Sequence, residues 1–505
     1  MRSRTLVALI GLVGLATAAI LVAVLVPWKA SDRAAAGHGS AAPRTAPQQV
    51  AAAPPLPPLH PVAGAPGIGD PYFPLAGNGG YDVTDYHIQL RYQPASDQLQ
   101  GHTTITARAT EDLSRFDLDL LLPASAVQVQ GKPATIHQDG GELQVTPAQP
   151  LRSGQPMVVQ VDYAGVPSSL PSDPDVIAPW QRTPDGAVAV GEPAIAAWWY
   201  PSNDHPSDKA TMSVSVTVPS GVQAISNGAL LGGPEHADPG WDRWRWQTKD
   251  PLAPYLAFVA MGQYDIVRRN TPEGPFLAAY AKGLDPSIAG PARQAVEQTP
   301  QIVGVLEQIF GPYPFAQLGG VVPDADDMFF ALENQTRPVY GPVFFLDGAD
   351  KTVVVHELAH QWFGDSVSLH QWRDIWLNEG FAHYAEWLYA ERTGGPSARQ
   401  QAVEAYQSKV NDTEYWTVPP GDPGKDHVLG DQVYSRGGMA LEALRVRVGD
   451  NAFFATLRAW PQERHNGNGS VADFLALLEK ISGKKVGDVA QTWLFSPTRP
   501  PNPPG

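Results

Sequence analysis

The stretch "VVVHELAHQWFGDSVSLHQWRDIWLNEGFAHYAEW", Val353 to Trp387, sets two histidines four residues apart around a glutamate. A second glutamate follows the second histidine after eighteen intervening residues. Residues four apart share one face of a helix, so His356 and His360 can aim both imidazoles at a single ion. Glu357 lies on the same rim, close enough to reach a water on that ion without ligating it. Two histidines in this pattern, with the glutamate as base, form the zinc-peptidase arrangement. A catalytic zinc takes three protein ligands and leaves its fourth position to water. Glu379 is the candidate third ligand. The segment "DIWLNEGFAHYAEWLYAE" reads as a second amphipathic helix ended by "TGGP", and one loop between the helices lets them pack antiparallel. A layout with a third histidine in a short downstream loop needs Gly at position 363 and His at position 366. The chain has Phe363 and Ser366 there. His370 and His383 are read as bystanders, His383 lying behind the site. Asp365 and Glu386 are candidates to hold the ligand imidazoles from behind.

These helices belong to a chain of 505 residues, long enough for two or three domains. With 43% hydrophobic and 17% charged residues it can bury large cores. A formal charge of -16 argues against nucleic acid and anionic membrane surfaces as partners. No cysteine is present, which excludes disulfides, thiolate metal sites and a cysteine nucleophile. A metal must therefore sit on His, Asp or Glu.

Arg2 and Arg4 precede an apolar run from Leu6 to Val26, longer than the ~7–15 residues of a signal-peptide core. It reads as an uncleaved single-pass anchor within residues 1–29, with the bulk of the chain outside the cytoplasm. The alternative is a signal cleaved in the Ala-rich stretch that follows, giving a secreted protein. Residues 30–69 are rich in Ala, Pro and Gly and read as an extended linker. From about 70 to 265, short alternating runs such as "HTTITARAT", "MVVQVDYAG" and "MSVSVTVP", separated by turn residues, predict an all-β saddle or sandwich. After Asn270 the spacing turns helical, as in "PQIVGVLEQIF", with "PFLAAYA" and "VYGPVFFL" as expected strands. Residues 266–497 are thus expected to form a mainly helical catalytic domain, and 498–505 a Pro-rich tail.

"HELAHQWFGD" and "WLNEGFA", with their eighteen-residue gap, resemble the two metal motifs of the aminopeptidase N family of zinc metallopeptidases, which also includes leukotriene hydrolase. The resemblance covers about residues 70 to 500. It implies a thermolysin-like α+β catalytic domain behind the β domain, one zinc per chain, and peptide substrates with a free N-terminus. The family grips the substrate amine with the Glu of a Gly-x-Met-Glu-Asn edge strand. Here the matching stretch is "FALEN", which assigns that role to Glu333, while Phe330 and Leu332 replace the usual Gly and Met. A second amine-binding residue stands fourteen positions before the Pro of an x-Asp-x-Pro turn, and counting back from Pro206 gives Glu192. The family's oxyanion tyrosine precedes an x-Lys-Gly. "VYSRGG" resembles it, with Arg436 for Lys, making Tyr434 the candidate. Many relatives carry a long helical C-terminal domain, and no large one is expected here. The competing readings are a zinc endopeptidase or non-peptide hydrolase on the same site, or a catalytically dead, membrane-tethered binding protein.

Overall fold

The computed structural model describes residues 58–171 and 179–504. The expected anchor or signal of residues 1–29 lies outside them, as does the linker up to residue 57. Among the described residues no helix is long and apolar enough to cross a membrane.

The sheet-rich half is built from period-two alternation. Tyr81–Gln93 buries Tyr81 and Val83, then Tyr86, Ile88, Leu90 and Tyr92. The buried set changes phase by one residue between Val83 and Tyr86, and a bulge between Val83 and Asp85 absorbs the extra residue. This strand lies inside an eight-stranded sheet, parallel to Thr211–Pro219 and antiparallel to Gln98–Ala109. Two four-stranded sheets complete this half. The first strand comes earlier than the linker reading allowed. Val62–Ala63 pairs in parallel with Leu113–Asp119, because Val62 N–H and Gly64 N–H find carbonyl acceptors there.

"YLAFVAMGQYDIV", which reads as one strand, is divided between two sheets. Val259–Gly262 joins the second four-stranded sheet, while Tyr264–Thr271 opens a five-stranded sheet with Gly274–Ala281, Leu318–Val322, Val339–Tyr340 and Ala331–Leu332. "VYGPVFFL" is a strand only at Val339–Tyr340. Pro342, which has no N–H for a ladder, starts a short 3-10 turn over Pro342–Phe345 instead.

The helices follow: α1 (Pro286–Val296), α2 (Thr299–Phe310), α3 (Thr352–Ala359), α4 (Trp376–Arg392), α5 (Ala398–Ser408), α6 (Gly437–Val448), α7 (Asp450–Glu463) and α8 (Val471–Ser482). Reciprocal Ser caps start α5 and α8, with Ser397–Gln400 and Ser470–Asp473 bonding each other's backbones. One contiguous apolar core runs from Tyr81 to Leu494 through both halves. The Pro-rich tail makes no regular element but is tied down, since Tyr406 Oη donates to the Pro500 carbonyl at 2.7 Å.

Candidate metal centre and its cavity

Helix α3 is built from a poor helix sequence. Val353, Val354 and Val355 are β-branched, yet all three are buried, and packing overrides propensity. Its start is tied by Thr352 N–H donating to Asp350 Oδ1 at 2.7 Å. His356 stands on its last turn, and His360 caps its C-terminus, still in a helical conformation. Helix α4 packs against α3 and carries Glu379 in its first turn.

The structure brings His356, His360 and Glu379 together. Glu379 Oε2 lies 3.2 Å from His356 Nε2 and 3.4 Å from His360 Nε2. The other ring nitrogens fix the tautomers. His360 Nδ1 lies 3.1 Å from the Phe363 carbonyl, which can only accept, and His356 Nδ1 lies 2.6 Å from Glu386 Oε1. Both Nδ1 atoms are therefore donors, and both Nε2 lone pairs face a carboxylate oxygen. A cation, whether a proton or a metal ion, satisfies the contact of each Nε2 with Glu379 Oε2. In the metal-free site that cation is a proton. Burial opposes charge on His356, but Glu379 and Glu386 push it up to about 10. Burial likewise opposes ionisation of Glu379, but the two imidazoles hold it down to about 2. Two imidazoles and one carboxylate suit zinc, and bonds of about 2.0–2.1 Å in a tetrahedron space ligand atoms by roughly 3.3–3.4 Å. The donor set and its spacing fit that ion.

Glu357, His360 and Glu333 each present a donor atom within 4.8 Å of the others, as do Glu192, Glu333 and Glu379. Burial, with the neighbouring carboxylates, pushes Glu357 up to about 8 against the opposing pull of the two imidazoles. Burial, then Glu333 and Glu379, raise Glu192 well above the usual carboxylate range. Glu192 Oε1 is buried and has no hydrogen-bond partner. These carboxylates share a cavity of about 410 Å³ with His356, His360 and Tyr434, walled by Phe329, Phe330, Leu332, Phe344 and Leu429.

Tyr434 lies on a wide helical turn, Gln432–Arg436, that leads into α6. Its ring stacks on His356, with centroids 5.8 Å apart and planes at 21°. Burial, then Glu379, raise its pKa well above 10, so the hydroxyl remains a donor. Two glycines let this turn approach α4. A Cβ on Gly437 would come within 2.6 Å of Trp376 Cδ1 and 3.0 Å of Gly380 Cα. The adjacent Arg436 is buried and donates to the carbonyls of Trp416, Val418, Thr492, Trp493 and Ser496.

The residues behind the imidazoles divide. Glu386 is bonded to His356 Nδ1, and also lies 3.2 Å from His383 Nδ1. Burial opposes its charge, but His383 and His356 hold it down to about 2. Asp365 does not support an imidazole. His360 uses the Phe363 carbonyl instead, and both Asp365 carboxylate oxygens are buried without a hydrogen-bond partner. His370 is exposed, and neither it nor His383 lines the cavity.

Three contributors escape sequence reasoning. Gln361 Nε2 donates to the Glu333 carbonyl at 2.9 Å while its Oε1 accepts from Thr336 N–H at 2.8 Å. Tyr255 Oη lies 3.1 Å from Glu333 Oε1, and Asn378 Nδ2 lies 3.2 Å from Tyr255 Oη. Gln361 and Asn378 carry a local signal, each adjacent in sequence to a metal-ligand candidate, and Tyr255 carries none.

Comparison with known proteins gives a consistent set. The peptidase family M1 domain matches residues 294–493. The structure of an M1 zinc metallopeptidase from Deinococcus radiodurans is 30% identical with a TM-score of 0.78, covering 86% of this chain and 98% of that one. A mutant of that enzyme with one glutamate changed to alanine, bound to a Tyr-Ser-Ala substrate, matches equally, with a TM-score of 0.78 at 30% identity over 86% of this chain and 99% of that one. Among curated relatives, glutamyl aminopeptidase of Homo sapiens is 29% identical over 323 residues, covering 60% of this chain and 33% of the relative. Aminopeptidase N of Canis lupus familiaris is 30% identical over 273 residues, covering 48% and 27%. The chain spans about a third of the length of these curated relatives.

Proposed function

Because the chain belongs to peptidase family M1, we propose that it is a zinc-dependent aminopeptidase that releases single residues from the free N-terminus of peptides. One zinc is held by His356, His360 and Glu379, a reading supported by three converging acceptor atoms. When bound, zinc polarises the scissile carbonyl and lowers the pKa of water toward about 7. Glu357 acts as general base, taking a proton from the attacking water and passing it to the leaving amine. The Tyr434 hydroxyl donates to the developing oxyanion. Glu333 and Glu192 take the substrate ammonium and set the register at the first peptide bond.

The observation that carries this reading is the carboxylate cluster beside the triad. Oxygens of Glu192, Glu333 and Glu379 lie within 4.8 Å of one another, and one Glu192 oxygen is buried without a partner. An ammonium neutralises and bonds such a cluster. An endopeptidase has no use for it. The test is hydrolysis of leucine p-nitroanilide and its N-acetyl derivative, with and without 1,10-phenanthroline. The free amine should react at least ~100-fold faster, with activity lost to chelator and restored by zinc. Equal rates on both substrates would refute the exopeptidase reading. Glu357→Gln should keep its zinc by elemental analysis while losing about 10²–10⁴-fold in turnover.

The apolar run Leu6–Val26 supports an anchor that places the enzyme outside the cytoplasm, with a cleaved signal as the alternative. N-terminal sequencing of the mature protein decides between them, an intact start favouring the anchor.

A further inference from the structure

Glu333 is the carboxylate assigned to the substrate ammonium, and its own support comes largely from the sheet-rich half. Tyr255 lies in a short turn, Pro254–Leu256, just before the last strand of that half. Its side chain is 1% exposed, and its ring packs edge-on against Trp372, with centroids 5.5 Å apart. The turn is fastened on both sides. The Leu256 carbonyl accepts from Asn227 Nδ2 at 2.9 Å and from Asn334 Nδ2 at 3.0 Å, and Asn334 is the residue after Glu333.

The direction of the proton follows from donor chemistry. Asn378 Nδ2 can only donate, so Tyr255 Oη accepts from it. The Tyr255 O–H is then free to donate to Glu333 Oε1. Asn378 directly precedes Glu379 on α4. One hydroxyl therefore joins the backbone neighbour of a metal ligand to the carboxylate that reads the substrate's end. Glu333, with one oxygen engaged by Tyr255, lines the cavity.

We propose that Tyr255 is the positioning residue for amine recognition, holding the Glu333 carboxylate in the orientation that takes the substrate ammonium. The selectivity for a free N-terminus is thus set from the sheet-rich half, while the hydrolytic machinery belongs to the helical half. This rests on the aminopeptidase reading above.

The test is Tyr255→Phe, which removes only the hydroxyl, assayed on leucine p-nitroanilide and its N-acetyl derivative. A hydrogen bond to a charged group corresponds to a factor of roughly 10 to 150. KM for the free amine should rise by about that factor, with kcat within about twofold, because recognition is lost and the proton chemistry is not. Preference for free over acetylated substrate should fall by the same factor, and zinc content should not change. In a Glu333→Ala background, Tyr255→Phe should add nothing, since its effect runs through the missing carboxylate. A purely structural role predicts additive losses and a fall in kcat.

Wild-type protein that cleaves both substrates equally overturns the aminopeptidase reading itself. Wild-type discrimination retained in Tyr255→Phe overturns the Tyr255 assignment alone. Should Tyr255→Phe fail to fold, Asn378→Ala removes the amide that orients the hydroxyl. KM should then rise by about threefold or more, and a loss confined to kcat overturns the proposal.

Discussion

Glu386 offers the sharpest quantitative test of the metal centre, because it bonds the Nδ1 of His356 and would act on a zinc at Nε2 through that ring. Its Oε1 lies 2.6 Å from His356 Nδ1 and its side chain is 15% exposed, so this is a short, charge-assisted and largely buried hydrogen bond. A hydrogen bond to a charged group contributes about 1.5–3 kcal/mol and a neutral one about 0.5–1.5. Glu386→Gln keeps an acceptor and loses the charge, so it should cost about 1–1.5 kcal/mol, or roughly five- to twelvefold in zinc affinity. Glu386→Ala leaves the His356 N–H without an acceptor and should cost the full ~1.5–3 kcal/mol, about 10- to 150-fold. Asp365→Asn is the control. Its carboxylate bonds neither imidazole, so zinc affinity should move by less than about threefold. The assay is competition for zinc against a chromogenic chelator at fixed pH, with a thermal melt to confirm folding. Unchanged affinity in both Glu386 variants, or an Asp365→Asn loss equal to theirs, would refute the reasoning.

Three further outcomes follow from the same geometry. His356, pushed up to about 10, and His360, also raised, carry protons at neutral pH that a metal must displace. Zinc affinity of the metal-stripped protein should therefore tighten as pH rises from 6.5 to 8.5, by up to about tenfold per unit for each proton released. Chelator competition at the two pH values measures this, and a flat response contradicts it. Tyr434→Phe should lower kcat by roughly 10²–10³ with little change in KM, because the hydroxyl serves the developing oxyanion. A KM effect alone would assign Tyr434 to binding. The cavity is lined by six carboxylates, and among the described residues by no Lys or Arg. A substrate carboxylate about 6 Å from one of them loses roughly 3 kcal/mol at an effective dielectric of 20, about 100-fold. Leucine p-nitroanilide should accordingly exceed the glutamate derivative by at least that factor in kcat/KM, although the human relative is a glutamyl aminopeptidase.

The metal motif was readable because a helix makes position i and i+4 neighbours, and both ligand helices are single unbroken stretches. The strands were readable wherever one face is buried, as in Tyr81–Gln93. Other features depend on contacts far apart in the chain. Tyr255 is 78 residues from Glu333 and 123 from Asn378, and nothing local distinguishes it from a packing tyrosine. Asp365 was misread for the complementary reason. A carboxylate five residues past His360 looks well placed, but the turn after α3 offers the Phe363 carbonyl first. The early strand at Val62 shows the same limit, since its partner lies some fifty residues on at Leu113. The 3-10 turn at Pro342 instead follows from a local residue, the proline that cannot donate to a ladder.

Arg436 extends the reach of the oxyanion donor beyond the cavity. Its guanidinium gathers carbonyls of Thr492, Trp493 and Ser496, only two residues along the chain from Tyr434. The far end of the polypeptide thereby acts as a strut for a hydroxyl it never touches. Proteolytic trimming upstream of Thr492 would remove that brace while sparing the zinc ligands, leaving a protein that retains its metal and turns over slowly.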